Sequence, residues 1–261
     1  MNILVFVKQV PDTETRIQLQ DGVVDTSAVK WVANPYDEFA IEEALRIKER
    51  LGQGKVTVVS LGPDRVKEAI KYALSLGADE GIHVKGDGVA LWDPLAVATV
   101  LAGAAKKAGF DLILTGKQGV DHDWSQAGII LAELLDLPHV SVVVSLEVHP
   151  ESKSGKAKRE VEGGAEVVEF TLPAVITAQK GLNEPRYASL KGIMAAKKIA
   201  IDSKSISDLG LSDSDIVNQR VTIVSLELPP EKSGGRKIDG ADPAAAAKEI
   251  VRYMKEEAKA L

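Results

Sequence analysis

Asp111–Leu135 reads DLILTGKQGVDHDWSQAGIILAELL. The apolar run Leu112-Ile113-Leu114 stops at Thr115-Gly116, a polar glycine-containing loop follows, and a helix-period pattern opens near Ser125. Strand, loop, helix is the order that gathers free backbone N–H groups at a helix start. Those donors and the positive end of the helix dipole make a seat for an anion, most often a phosphate. Ser125 is the expected N-cap, and Gly128 is expected to let a ligand approach the first turn closely. A plain capped turn has the same texture, so this stretch alone leaves both open.

Working outward, Ile3–Val7 is a short continuous apolar run, as in a strand buried on both faces, and Pro11 closes it. A polar, loop-like passage is expected up to Ala33. Asn34-Pro35-Tyr36-Asp37 then reads as a turn feeding a helix with Phe39, Ile41, Ala44, Leu45 and Ile47 on one side. Val56–Ser60 predicts a second buried strand, Val66–Leu76 a helix ended by Gly77, and Gly81–Val84 a third strand. Asp93 is expected to cap a helix through Lys107, with Pro94 at its first position. This alternation predicts βαβ units: an α/β, doubly wound parallel sheet of Rossmann-like, adenine-nucleotide-binding type. Ligands bind such sheets where the winding reverses. The loops after the first and fourth strands, Lys8-Gln9 and Gly116-Lys117-Gln118, are the pair that would flank that crevice.

Beyond Ser141 the texture changes. VSVVVSLEVH alternates as a strand, ESKSGKAKR reads as a charged turn, and REVEGG with AEVVEFTL reads as an added β-hairpin. Leu172–Thr177 returns to buried-strand character. From Ala200 onward the chain is polar and irregular, with Pro229-Pro230 and Ser233-Gly234-Gly235, and reads as an extended C-terminal arm laid on something else. A last helix starts near Asp242-Pro243 and closes the chain at Leu261. The division expected is 1–200 for the α/β nucleotide-binding domain and 201–261 for the arm and helix.

Composition narrows the function classes. The chain has 261 residues, 45% apolar and 27% charged, a net charge of −6 and no cysteine. That balance gives no reason to expect nucleic acid, and the missing thiols exclude disulfides, thiolate metal sites and a cysteine nucleophile. No apolar run reaches the roughly 20 residues of a membrane span, so a cytoplasmic protein without membrane insertion is expected. Asp121-His122-Asp123 suggests a metal site only superficially, because three consecutive side chains do not converge on one ion. His122, Asp123 and Ser125 are triad residue types without a nucleophile elbow, and neither a G-x-G-x-x-G nor a P-loop pattern occurs. No catalytic residue and no metal ligand is therefore expected. His83, His139 and His149 read as structural. Trp124 is either buried packing or a cover for a bound ring. Tyr187, Leu190, Ile193 and Met194 fall where little core remains, which fits partner docking as well as a short helix folded onto its own domain.

The segment LNEPRYASLKGIMAAKK at 182–198 closely resembles the signature of the beta subunit of electron-transferring flavoproteins. VKQVPD at the start, ANPYDEFAIEEALRIKE, the SLGP turn, ALSLGADEGIHV and GKQGVDHDWSQAG extend the resemblance over nearly the whole chain. It implies a heterodimer in which an alpha subunit holds most of the redox FAD and the C-terminal arm embraces that subunit. Carried onto this sequence, the nucleotide site would be Phe6, Asn34, Pro35, Tyr36, Asp37, Leu61, Gly116, Lys117, Gln118, Gly119, Val120, Asp121, His122, Asp123, Trp124, Ser125, Gln126 and Ala127. The 182–198 segment would dock acyl-CoA dehydrogenase-type partners through Tyr187, Leu190, Ile193 and Met194, with Leu190 as anchor. Lys197 and Lys198 match a cluster that is methylated in some relatives. Conventional members of that family hold AMP here as a structural ligand, and the bulky Trp124 favours AMP for this chain. The alternative is the bifurcating kind, which carries a second FAD in its place and oxidises NADH. Bifurcating members usually show Gly-Asp-Thr-Ala where this chain has His122-Asp123-Trp124-Ser125.

Overall fold

A computed structural model describes residues 1–216, 220–230 and 235–260. Ser233, Gly234 and Leu261, which figure in the sequence expectations, lie outside the described residues. The chain divides into two units, Met1–Ser225 and Leu226–Leu261.

The first unit is a nine-stranded sheet with helices on both faces. Its spine comprises β1 (Asn2–Phe6), β6 (Lys55–Gly62), β7 (Glu80–Lys85), β8 (Leu112–Gly116) and β12 (Ala174–Ala178). The helices are α1 (Pro35–Leu51), α2 (Lys67–Leu76), α3 (Pro94–Ala108) and α4 (Ala127–Leu134). Strand periodicity divides the core between the faces. Ile3 and Val5 of β1, with Leu112 and Leu114 of β8, pack toward Ile41, Leu45 and Ile70 of α1 and α2. Leu4, Phe6 and Ile113 point the other way, toward Val100 and Leu101 of α3 and Leu131 of α4. A slip of one residue would exchange the two sets but leave both apolar. Register is therefore held by the ladder and by residues such as Gly81, where any Cβ would collide with Ile70.

With β9 at His139–His149, β10 at Ser154–Val161, β11 at Gly164–Thr171 and β13 at Ile201–Lys204, the spatial order is β11-β10-β9-β12-β8-β1-β6-β7-β13. From β1 the chain winds through β6 and β7 on one side, then crosses to β8 and β12 on the other. The winding reverses between β1 and β8, which pair in parallel from Ile3 opposite Leu112 to Val5 opposite Leu114. β9, β10 and β11 extend the sheet as an antiparallel meander.

Three expectations need correction. The passage before Ala33 is not simply a loop. β2 (Gln9–Pro11) pairs with β5 (Trp31–Ala33), and β3 (Leu19–Gln20) with β4 (Val23–Val24), in ladders too short to show a period. The charged turn ESKSGKAKR is mostly strand β10, whose buried residues Gly155 and Ala157 are too small to mark a face beside Lys156 and Lys158. Ala200 onward is irregular only in part. β13 (Ile201–Lys204) adds an edge strand to β7, and α6 (Asp213–Ile216) follows.

The second unit carries α7 (Pro243–Glu256), capped by Asp242, whose carboxylate accepts from Ala244 N at 2.9 Å and Ala245 N at 3.2 Å. The helix stops at Glu256, short of Leu261. Among the described residues no helix is long and apolar enough to cross a membrane.

Candidate functional site

The loops after β1 and β8 meet at the switch point, and the start of α1 ties them together. Asp37 is buried and takes Lys8 N on one carboxylate oxygen at 2.7 Å and Gly116 N on the other at 2.9 Å. Burial pushes its pKa up to about 7 against the lowering effect of those hydrogen bonds. Gly116 has to be glycine, because any Cβ would run into Tyr36 and Asp37. Asn34 precedes α1 without capping it. Its Nδ2 donates to Gln118 O at 2.8 Å and its Oδ1 accepts from Val120 N at 3.1 Å, so its side chain holds the loop after β8 instead.

Within that loop, Lys8 Nζ lies 2.7 Å from the Asp121 carboxylate and 3.2 Å from His122 Nδ1. Burial would raise the Asp121 pKa, but hydrogen bonds from His122 and Lys8 outweigh it and hold the carboxyl at about 2. Gln118 bonds Asp123, and Ser125 Oγ donates to Gln118 Oε1 at 2.7 Å. Asp121-His122-Asp123 is thus occupied with bracing the loop.

Ser125 is not the N-cap. It has φ +52°, as Asp123 has +53°, and α4 begins at Ala127 after Gln126, with no side-chain cap. Sequence alone made Ser125 the natural cap because serine so often is one. Its hydroxyl is committed to Gln118 instead. The consequence is a run of open donors: among the described residues the amides of Trp124 to Ile129 find no protein acceptor. Left-handed residues in such a run turn successive N–H groups toward one concavity, which suits an anion. Gly128 is required for packing: a Cβ there would sit 2.8 Å from Thr115 Oγ1 and 2.9 Å from Thr177 Cγ2.

A cleft opens beside these amides. Of the residues expected from sequence, Phe6, Asn34, Asp37, Leu61, Gly116 to Gly119, His122 and Trp124 to Ala127 line it. Pro35, Tyr36, Val120, Asp121 and Asp123 are not among the residues that line it. Sequence reasoning missed Arg65, Leu91, Trp92, Val97 and Leu101, which also line it. The SLGP turn before Arg65 and the Asp93 cap after Trp92 mark strand and helix ends facing the crevice, and those were the signals available. Trp124 faces the cleft, with its ring edge-on to His122 at 5.9 Å between centroids. The lining combines the apolar side chains of Phe6, Leu61 and Trp92 with Trp124 to Gly128, whose amides are free. That combination accommodates a flat ring joined to a phosphate.

A profile of the electron transfer flavoprotein domain matches residues 21–209. Electron transfer flavoprotein subunit beta of Bacillus subtilis (strain 168) is 38% identical over 100% of both chains. That of Syntrophomonas wolfei is 40% identical over 99% of this chain and 98% of its own, and that of Homo sapiens 41% over 97% and 98%. The chain belongs to the electron transfer flavoprotein beta-subunit family. Membership implies a part in flavin-related electron transfer.

The 182–198 segment that carries the family signature lies across α1 and α2. Asn183 is buried, and its Nδ2 donates to Phe39 O and Glu43 Oε2, both at 3.0 Å. Ser189 caps α5 (Leu190–Ala196) by accepting from Gly192 N at 3.0 Å. Gly192 lies against the Ser75 carbonyl of α2 so closely that no Cβ fits. Opposite these contacts, Tyr187 is 98% exposed, Leu190 78%, Met194 53% and Ile193 41%. The segment is both a short helix folded on its own domain and a presented apolar surface. His83 is buried, with Nε2 2.8 Å from Gly62 O, as a structural histidine would be.

Proposed function

We propose that this chain is the AMP-binding beta subunit of a heterodimeric electron transfer flavoprotein. It holds AMP as a structural ligand, helps an alpha subunit hold its FAD, and docks acyl-CoA dehydrogenase-type flavoenzymes. The single observation that carries the nucleotide assignment is the run of unaccepted amides from Trp124 to Ile129, most of whose residues line a cleft that also has apolar walls. The phosphoryl oxygens would take those amides, and the adenine would lie between Phe6, Leu61 and Trp92. Flavin bound in the complex supplies the one-electron redox chemistry. This chain's own residues bind, orient and present, and Tyr187, Leu190, Ile193 and Met194 supply an exposed apolar surface for a partner flavoenzyme. The arm Leu226–Leu261, with its amphipathic α7, is suited to lie on the alpha subunit.

The test is nucleotide content. The complex with its alpha subunit is purified and denatured in acid, and the released nucleotides are separated. One FAD and one AMP per heterodimer is the expected result. Two FAD with no AMP would overturn the AMP assignment in favour of a bifurcating subunit, for which NADH oxidation is the companion assay.

A further inference from the structure

The exposed anchors Tyr187 and Leu190 sit on a stretch with little backbone support. Among the described residues, 183–188 make no backbone–backbone hydrogen bond, and α5 is only seven residues long. One side chain does most of the tethering. Arg186 Nε donates to Glu42 Oε2 at 2.8 Å and one terminal nitrogen to Glu42 Oε1 at 3.0 Å. The terminal nitrogens also reach Glu49 Oε1 at 2.6 Å and Oε2 at 3.0 Å, and Arg186 N itself donates to Glu42 at 3.2 Å. Glu42 and Glu49 lie two turns apart on α1, so the planar fork bridges them as one rigid unit. Glu42 is buried, whereas Glu49 is half exposed. The carboxylates of Glu49 and Glu42 hold the guanidinium pKa above its ordinary value.

We propose that Arg186 is the positioning residue of the docking surface: its two-carboxylate clamp on α1 holds Tyr187 and Leu190 in the partner-ready pose before contact. The inference rests on the docking role proposed above. A surface ordered in advance avoids the ordering cost at the moment of binding. If the clamp is lost, the competent pose is populated only part of the time, and apparent affinity falls by that fraction. The chemistry at the flavin is untouched.

The test uses the full heterodimer as electron acceptor for an acyl-CoA dehydrogenase supplied with its acyl-CoA substrate. Arg186→Gln is expected to raise the KM for the heterodimer on the order of tenfold while kcat stays within about twofold. Flavin content should stay at the wild-type value, while the melting temperature is expected to fall because Glu42 is left buried without its partner. Arg186→Lys keeps the charge but cannot bridge both carboxylates, so it should recover only part of the loss. An unchanged KM in Arg186→Gln would overturn the proposal. Should that variant not fold, Glu49→Gln, made at an exposed position that leaves the Glu42 contacts in place, decides: a smaller rise in KM supports the clamp and no rise overturns it. Leu190→Ala separates the two levels. If it raises KM while Arg186→Gln does not, docking stands and the clamp falls; if it changes nothing, the docking role itself fails.

Discussion

At the scale of single residues, Asp37 shows how one buried carboxylate fixes two loops. Its two oxygens satisfy two separate backbone amides, and an asparagine offers only one acceptor and a misplaced NH2. Asp37→Asn is expected to cost about 1–3 kcal/mol in chemical denaturation. It should also change the pH profile. The unfolded carboxyl titrates near 3.8 and the folded one near 7, so the folded state binds the extra proton between those values. Its contribution therefore favours folding at the acid end of that window and is lost as pH rises toward 7. Asp37→Asn should flatten that slope, as denaturation midpoints measured from pH 4 to 7 would read out. Asp121 has the opposite sign: its contribution is present above about 3.8 and lost as pH falls through about 2. Gly128→Ala should destabilise by about 1–3 kcal/mol, visible as a lower melting temperature, because the added methyl overpacks Thr115 and Thr177. None of these roles was legible from residue type. Gly128 lines the cleft and also packs on Thr115 and Thr177, and Ser125 had the chemistry of a cap it does not form.

At the scale of elements, α1 is the shared member. Its first turn, with Asn34 before it, holds the loops around the cleft, and its later turns hold Asn183 and Arg186 beneath the exposed surface. Leu190→Ala is expected to raise the KM for dehydrogenase-driven reduction several-fold without changing flavin content, since Leu190 touches solvent rather than core. Steady-state assays over a range of heterodimer concentrations would check it. The long elements were readable in advance: apolar runs gave β1, β6, β8 and β12, and Asp93-Pro94 and Asp242-Pro243 marked α3 and α7. Elements with little apolar surface escaped notice. β13 has one aliphatic residue, and β10 buries only glycine and alanine on its inner face. Periodicity cannot register a face built from such side chains.

At the scale of the whole molecule, a ligand seated on the Trp124–Ile129 amides should stabilise the complex by mass action. Stripping the nucleotide is expected to lower the melting temperature, and AMP at about a hundredfold over its Kd should restore about 3 kcal/mol. Adenosine, which lacks the phosphoryl group, should restore much less. Equal rescue by both, in a thermal-shift titration, would argue against the amides as the phosphate seat. By itself the sequence determined the layered parallel sheet, the switch point after the first and fourth strands, and the family, because these follow from local periodicity and contiguous motifs. Only the tertiary structure decided which residues face the cleft, why Ser125 leaves the helix start open, and how Arg186 reaches Glu42 and Glu49 across some 140 positions of chain. Those depend on long-range contacts between side chains, and no local pattern encodes the partner of a hydrogen bond.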